Sequence, residues 1–286
     1  MSTQIADDSA GGDSAGGGSA GGGSASGGSA SGGSRVPQTD ASVMDAATVG
    51  ARQQLLSCLL QSPIPPGELI RNLGLYLLPM DVKRLLFFAE LYQQIVSVPG
   101  VIMEFGTRWG QTMAILQSLR AILEPYHHRR LIIGFDTFTG FPEVAPEDGS
   151  AAAAQTGAYG VTAGYEHYLD NLLALRELQS PLPQVRKYRI IRGDAPAELQ
   201  RYLAQHPETI VAMAYFDMDL YQPTVDCLRL IRDRLPQGAV VGFDELNHAA
   251  FPGETTAVRE VLGLPHLRLR RSPWSADESY FVTERP

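Results

Sequence analysis

The chain has 286 residues, of which 44% are hydrophobic and 19% are charged, a composition typical of a protein with a large buried core. Its 31 acidic and 23 basic residues give a net charge of −8, which disfavours binding to the phosphate backbone of nucleic acid. No apolar run reaches the roughly 18 residues that span a bilayer, and residues 1–10 lack the basic and apolar regions of a secretion signal. We therefore expect a cytoplasmic protein without a membrane or nucleic-acid partner.

The N-terminal third of the chain divides into two predicted segments. Residues 1–39 repeat Gly, Ser and Ala and offer almost no side chain that can pack, so we predict a disordered tail. Residues 40–99 are predicted to be a helical prefix, with one helix from Asp40 to about Ser62 and a second from Pro79 to just before Pro99. The apolar face of this prefix is too wide for a free-standing hairpin, so we expect it to act as a lid or as the interface of a homo-oligomer.

From residue 100 onward, short apolar strands alternate with amphipathic helices. The predicted strands are 101–106, 131–136, 189–194, 210–219, 239–246, 267–272 and 279–283, and the predicted helices are 110–123, 165–178, 196–205, 223–235 and 255–262. This order predicts an α/β domain over 100–286, in which helices cover both faces of a parallel sheet. The last two strands are joined by a short turn, so the sheet should be seven-stranded and mostly parallel, with an antiparallel C-terminal strand.

Polar residues end the predicted parallel strands, at the edge where open α/β sheets bind their ligands. Gly106 and Gly110 allow the first strand to turn sharply into a helix whose N-terminal amides can meet an anionic group. Asp136 ends the second strand, where an acid accepts hydrogen bonds from ribose hydroxyls in nucleoside-binding folds. Together with Glu104, these residues predict an adenosine-type ligand; the alternative is that the acids only hydrate the loops.

A second group of acids, Asp217, Asp219, Asp244 and Glu245, follows two strands that are predicted to be neighbours. Side chains alternate along a strand, so the first two should point to one neighbourhood. Carboxylates brought together in this way repel one another unless a cation neutralises them, and an oxygen-only donor set favours Mg²⁺, Mn²⁺ or Ca²⁺. We therefore predict a metal site, with solvated or helix-capping acids as the alternative. His248 lies just beyond these acids and is a candidate for contact with the substrate, or else an ordinary loop histidine.

Several enzyme and site classes are excluded by simple counts. Nucleotide hydrolases need a lysine in a phosphate-binding loop, and short-chain reductases need a tyrosine four residues before a lysine. The only lysines, Lys83 and Lys187, meet neither requirement. Cys58 and Cys227 lack the spacing of a metal site and are expected to be buried thiols.

With these residues assembled, the chain resembles the class I S-adenosylmethionine-dependent methyltransferases, and more narrowly the macrocin O-methyltransferase (TylF-type) family, which methylates sugar hydroxyls in natural-product pathways. The matching segments are the first motif VIMEFGT at 101–107, the second motif GFDTFTGFP at 134–142, the segment FDMDLYQPT at 216–224, and FDE at 243–245 followed by PGE at 252–254. The resemblance covers about residues 100–260 and implies a Rossmann-like class I methyltransferase fold.

The resemblance also implies a role for each motif residue. The cofactor S-adenosylmethionine would be held by the residues of the first two motifs and of the third strand end, namely Glu104, Gly106, Thr107, Gly110, Asp136, Thr137, Gly193 and Asp194. Asp217, Asp244 and Glu245 would coordinate Mg²⁺ or Mn²⁺, and Asp219 would be the catalytic base, with His248 beside it. The family usually has Asp-Asp where this chain has Asp244-Glu245.

The function implied in this way is Mg-assisted O-methylation of a hydroxyl on a sugar or glycosylated natural product. Three alternatives stay open at this stage. One is a methyltransferase for a catechol-like or other small hydroxyl, for which Trp109, Tyr159, Tyr165 and Tyr168 would provide an aromatic slot. The others are a hydroxylase on the same fold and a nucleoside-binding protein without catalysis.

Overall fold

A computed structural model describes residues 46–275 and 277–284. The tail predicted for residues 1–39, and the predicted helix start at Asp40, lie outside the described residues. The helices are α1 Ala46–Leu60, α2 Pro66–Leu69, α3 Pro79–Ile95, α4 Gln111–Leu123, α5 Tyr165–Glu177, α6 Ala195–Gln205, α7 Tyr221–Ile231 and α8 Gly253–Val261. The strands are β1 Val101–Phe105, β2 Ile132–Asp136, β3 Tyr188–Arg192, β4 Val211–Phe216, β5 Val240–Phe243, β6 Arg270–Arg271 and β7 Ser279–Val282.

The described strands form one seven-stranded sheet in the order β3-β2-β1-β4-β5-β7-β6. Strands β1 to β5 are parallel, and β7 is antiparallel to both β5 and β6, which confirms the predicted fold class. The last hairpin is shorter than predicted: β6 covers Arg270–Arg271 instead of residues 267–272, and it pairs with β7 over only these two residues.

The helical prefix is divided between the core and the surface. Helix α3 buries Phe87, Phe88 and Leu91 completely in the core cluster that also holds one face of the sheet. Between α1 and α3, the sequence analysis missed α2 and the 3-10 helix Ile70–Leu75 that continues it. Pro66 is the first residue of α2, a position where proline is favoured although it would break a helix interior. No helix among the described residues is long and apolar enough to cross a membrane.

The surface part of the prefix overturns one expectation. Cys58 of α1 is exposed rather than buried, whereas Cys227 of α7 is buried as expected. The apolar residues of α1 and α2 do not reach the core, so the helical spacing around Cys58 marks an apolar surface instead of an interior.

A row of phenylalanines fixes the register of the four central strands. The rings of Phe135, Phe105, Phe216 and Phe243 stack in that order across β2, β1, β4 and β5, with centroids 5.2, 4.8 and 5.2 Å apart. Each ring belongs to the residue paired with its neighbour in the sheet. The residue that follows each phenylalanine therefore emerges at the same height at the carboxyl edge, and three of these four residues are aspartates.

Candidate active site

A cavity of about 370 Å³ lies at the carboxyl edge of the sheet, above the phenylalanine row. This volume suits a small-molecule ligand. Most of the predicted site residues line it: Glu104, Gly106, Thr107, Asp136, Thr137, Gly193, Asp194, Asp217, Asp219, Asp244 and Glu245. Two predicted residues, Gly110 and His248, do not.

The two glycines after β1 shape the turn into α4. Gly106 has φ +94°, and a Cβ there would lie 1.8 Å from the carbonyl oxygen of Asp217, so only glycine lets the ends of β1 and β4 approach this closely. Gly110 is the left-handed N-cap of α4, and a Cβ there would meet the Leu169 side chain at 2.3 Å. Gly110 thus allows α4 and α5 to pack, whereas Gly106 forms part of the cavity floor.

Asp136 is held in place by the backbone on both sides of the cavity. Its two carboxylate oxygens accept hydrogen bonds from the backbone N–H groups of Arg108 and Phe138, each at 2.6 Å. Burial raises the pKa of this carboxyl, and the two backbone hydrogen bonds oppose the rise. The lone pairs that remain are available to hydroxyl groups of a ligand, as predicted for a ribose acceptor.

Glu104 is the most deeply buried acid of the cavity wall, with 1% of its surface exposed. Burial and the charge of Asp217 raise its pKa to about 8, against the opposing charge of Arg84. Its Oε2 atom is buried without a hydrogen-bond partner among the described residues. A buried acceptor without a partner is costly, so this oxygen suits a positively charged donor on a bound ligand.

The carboxylates of Asp217, Asp219 and Asp244 converge at the other end of the cavity, with one oxygen from each lying within 4.8 Å of the others. Asp217 and Asp219 both follow β4, which ends at Phe216 and not at residue 219 as predicted. They therefore meet through the turn in which Asp219 adopts φ +59°, and not through alternation along a strand. Such a set of oxygen donors suits Mg²⁺ or Mn²⁺.

Burial and the charges of neighbouring acids raise the pKa values of Asp217 and Asp219. Burial, followed by the charge of Asp244, raises the pKa of Asp217 to about 7. Burial and the charge of Glu245 raise the pKa of Asp219 well above its ordinary value. Asp217 therefore takes up a proton near neutral pH unless a cation is added to the site.

Arg84 is the functional residue that the sequence analysis missed. Its guanidinium reaches from α3 to donate to Asp217 Oδ2 at 2.7 Å, lies 3.5 Å from Asp244 Oδ1, and donates to Thr112 Oγ1 at 2.8 Å. The hydroxyl of Tyr215 donates to the same Asp244 oxygen at 2.7 Å. The one signal in the sequence was an arginine placed just before four apolar residues, Leu85 to Phe88, in a helix that otherwise packs in the core.

Arg84 supplies one positive charge where at least three carboxylates meet. Its charge therefore balances only part of theirs, and a further cation would be attracted to the cluster. It contacts one oxygen each of Asp217 and Asp244, and the second oxygen of each carboxylate stays available. Hydrogen bonds of this kind orient the carboxylates that bind metals in proteins. The cluster thus fits a divalent ion in its donor chemistry and in its charge.

Glu245 lies beside this group but outside it. Its backbone N–H donates to Glu254 Oε2 at 3.3 Å, and its own Oε2 is buried without a hydrogen-bond partner among the described residues. His248 Nδ1 lies 3.7 Å from that oxygen. Burial raises the pKa of Glu245 to about 8, and Asp244 adds to the effect. Glu254, which the sequence analysis placed in the PGE motif without giving it a role, is completely buried and supports this loop from α8.

Solved structures of methyltransferases share this fold. A crystal structure of CalS11, a calicheamicin methyltransferase, is 41% identical over 89% of this chain and 99% of its own chain, with a TM-score of 0.82. An apo structure of CalS11, described as a TDP-rhamnose 3'-O-methyltransferase, is 38% identical over 84% of this chain and 95% of its own, with a TM-score of 0.74.

A more distant structure, the O-methyltransferase NovP, shares the fold at 20% identity, over 71% of this chain and 81% of its own, with a TM-score of 0.54. No protein-family model and no curated protein matches the chain. The identity to CalS11 over nearly its whole length goes beyond likeness of fold. The chain therefore belongs to the family of class I S-adenosylmethionine-dependent O-methyltransferases that includes CalS11.

Proposed function

We propose that this protein transfers the methyl group of S-adenosylmethionine to a hydroxyl of a sugar in a natural product, with the assistance of Mg²⁺ or Mn²⁺. The observation that carries the proposal is the convergence of the Asp217, Asp219 and Asp244 carboxylates within 4.8 Å, at one end of a cavity whose other walls carry Asp136 and Glu104. One end has the chemistry to bind an adenosine and its positively charged tail, and the other has the chemistry to bind and activate a hydroxyl.

Two acids are proposed to hold the cofactor. Asp136 would accept hydrogen bonds from the ribose hydroxyls, because its carboxylate is already fixed by two backbone N–H groups. The Glu104 oxygen without a partner would accept from the ammonium of the methionine tail. The proposed contacts of Thr107, Thr137, Gly193 and Asp194 follow from their positions around the same cavity.

The remaining acids are proposed to act on the acceptor. A divalent cation held by Asp217 and Asp244, with Glu245 or Asp219 beside them, would stabilise the alkoxide form of the acceptor hydroxyl. Asp219 would take the proton as the oxygen attacks the methyl group, because burial and its acidic neighbours make its carboxylate more basic than an exposed one. Burial of the cavity floor keeps water away from the reacting atoms.

Among the alternatives, the sugar acceptor is favoured by the kinship with CalS11, a sugar-modifying enzyme by its description. The exposed rings of Trp109 and Tyr168 would also serve a catechol-like acceptor. Methyl-transfer assays on sugars and on catechols distinguish these two acceptors. A hydroxylase or a binding protein without catalysis has no specific observation in its favour.

Calorimetric titration with S-adenosylmethionine, with and without Mg²⁺ after chelation, tests the first half of the proposal. We expect binding that does not need the metal, because the metal ligands lie at the acceptor end. Methyl transfer to a panel of nucleotide-linked sugars, glycosides and catechols, with and without Mg²⁺, tests the second half. No binding in either condition would overturn the proposal, as would transfer to catechols alone.

We further propose a homo-oligomer assembled through the surface part of the prefix. Four leucines and isoleucines there are more than half exposed: Leu56, Leu60, Ile70 and Leu75. Apolar patches of this kind on a folded protein mark interaction sites. Light scattering after gel filtration should give a multiple of the monomer mass that falls in Leu60→Glu; a monomer in the unchanged protein would refute this. A cytoplasmic location without a nucleic-acid partner stays a prediction.

A further inference from the structure

Residues 137–164 join β2 to α5 beside the cavity, and we call them the cover segment. Connections between elements usually have about 4–6 residues, and much longer ones are mostly functional. Phe141 of this segment packs with Leu220 and Phe251 in a small buried cluster of its own. Four residues of the segment line the cavity: Gly140, Phe141, Pro142 and Tyr159. The cover segment is therefore a packed wall of the cavity.

Asp148 anchors this wall to the rest of the domain. It ends the 3-10 helix Pro146–Asp148 within the cover segment and is only 1% exposed. Its Oδ2 atom accepts a hydrogen bond from the N–H of Ala145 at 2.7 Å, inside the segment. Its Oδ1 atom accepts from the N–H of Tyr221 at 2.5 Å, outside the segment. Burial of a carboxylate is costly unless hydrogen bonds satisfy it, and these two bonds join the cover segment to α7.

The N–H that Asp148 binds lies two residues after Asp219. Tyr221 is the first residue of α7, and Leu220 before it has no polar side chain that could accept from the free N–H groups of the first turn. Asp148 supplies this cap from another part of the chain, and its negative charge suits the N-terminus of a helix. The hydrogen bond therefore fixes the start of α7, and with it the turn that carries Asp219.

That turn has to be held at both ends, because Asp219 adopts the left-handed φ of +59°. Residues other than glycine keep such a conformation only where their surroundings impose it. On the side of β4, the N–H of Asp217 donates to the carbonyl of Phe105 at 2.8 Å. On the side of α7, the bond from Tyr221 to Asp148 completes the restraint.

The PGE sequence at the start of α8 closes on the same contact. A Cβ at Gly253 would lie 2.7 Å from Asp148 Oδ1 and 2.8 Å from the carbonyl oxygen of Asp219, so a larger residue would have to displace one of them. The next residue, Glu254, accepts from the N–H of Glu245 at 3.3 Å. The glycine of this sequence thus fits against the anchor, and the glutamate holds the loop of the neighbouring acid.

We infer that Asp148 is a positioning residue for Asp219, the proposed base. Its carboxylate bonds to the turn of Asp219 and to the cover segment at once, so the base is held at the acid cluster only while the cover segment is seated. The inference rests on the proposed function, since it assumes that Asp219 takes the proton of the acceptor. It adds a buried residue that touches neither substrate nor metal and on which the reaction depends.

Kinetics of Asp148 variants in the full chain test the inference, with kcat normalised to the binding stoichiometry of S-adenosylmethionine so that unfolded protein does not count. Asp148→Ala removes both hydrogen bonds and should lower kcat at least about tenfold, while Kd for S-adenosylmethionine stays within about twofold. Asp148→Asn keeps an oxygen that can accept one of the bonds and should lose less. Glu147→Ala is the matched control, because Glu147 belongs to the same 3-10 helix but is exposed, and its kcat should be unchanged. Unaltered kcat in Asp148→Ala would overturn the inference.

A double-mutant cycle separates positioning from a general structural effect. In Asp219→Asn no base is left to be positioned, so adding Asp148→Ala should lower the residual kcat by less than about twofold. An equal loss in both backgrounds would mean a general structural effect and would overturn the inference.

Gly253→Ala tests the same contact with the carboxylate in place. The added methyl group displaces Asp148 from the turn of Asp219, so kcat should fall, and the fall should again be absent in Asp219→Asn. Gly67→Ala, where a Cβ meets nothing within 4 Å, is its control. Unaltered kcat in Gly253→Ala would contradict the inference, even if Asp148→Ala does not fold.

A protease assay tests the anchor without reference to catalysis. Glu143 and Glu147 of the cover segment are exposed, so a glutamate-specific protease should cut Asp148→Ala there faster than the unchanged chain. Equal rates would show that Asp148 does not anchor the segment. If the unchanged chain methylates a sugar and these tests fail, the inference is wrong and the proposed function stands. If the unchanged chain neither binds S-adenosylmethionine nor transfers its methyl group, the proposed function fails and the inference fails with it.

Discussion

Replacing Arg84 with methionine tests whether this arginine neutralises the acid cluster. The substitution keeps most of the side-chain volume and removes the ion pair with Asp217, whose N–O distance is 2.7 Å. Removing one partner of a fully buried pair costs about 3–5 kcal/mol, and an exposed pair is worth about 0–1 kcal/mol. The two side chains are 20% and 25% exposed, which puts the expected loss between these limits. We therefore expect a loss of about 2 kcal/mol in the free energy of unfolding.

For a domain of this size, a loss of that order lowers Tm by roughly 4–8 °C. The loss should depend on pH, because the pKa of Asp217 is already about 7 beside Arg84 and rises further without it. A carboxyl whose folded pKa is raised binds more protons in the folded state, so stability falls as pH rises through the window between the unfolded and the folded pKa. The loss should thus be smaller at about pH 6 than at about pH 8.5.

Differential scanning fluorimetry across this pH range, with and without Mg²⁺, is the measurement. Mg²⁺ should raise Tm more in Arg84→Met than in the unchanged chain, because the added ion replaces the lost charge. Lys83→Met is the matched control: its amine lies 3.7 Å from Asp277 at the surface, with side chains 32% and 58% exposed, and should cost little. Equal losses in the two variants, or a loss independent of pH, would refute the assigned role of Arg84.

Three further predictions concern the cavity. Asp219→Asn should lower kcat by a factor of about 10²–10⁴ while S-adenosylmethionine binding by calorimetry stays within error, and unaltered kcat would remove Asp219 as the base. In the unchanged chain, the pKa of Glu104 is about 8, so binding of the positively charged cofactor near neutral pH should release a proton from this carboxyl. Calorimetry in two buffers of different ionisation heat detects the release. Glu104→Gln should abolish it, and release that persists would contradict the assignment. Gly106→Ala should lower the free energy of unfolding by at least about 2 kcal/mol in thermal melting and abolish cofactor binding in calorimetry. Gly74→Ala is the control: a Cβ there meets nothing within 4 Å, so both assays should give unchanged results.

The class of the sheet and the identity of most site residues follow from local sequence. Short apolar strands alternate with amphipathic helices, and this pattern leaves few arrangements other than a parallel sheet. A polar residue that ends a buried parallel strand lies at the carboxyl edge of the sheet. Asp136, Asp217 and Asp244 were therefore assigned to this edge from the sequence alone, the first to a cofactor site and the other two to a metal site. The phenylalanine before each of these acids was equally visible in the sequence, although its role in fixing the register was not.

Tertiary packing decided the features that depend on residues far apart in the chain. Arg84 is separated from Asp217 by 133 residues, and no local pattern could indicate that α3 would carry its guanidinium into the acid cluster. The same holds for Cys58, which is exposed because α1 contributes no layer to the core. Helical periodicity defines which residues share a face, but the partner of that face is set by long-range contacts. The sequence by itself therefore determined which acids lie at the sheet edge, and only the folded structure determined that the guanidinium of Arg84 meets them there.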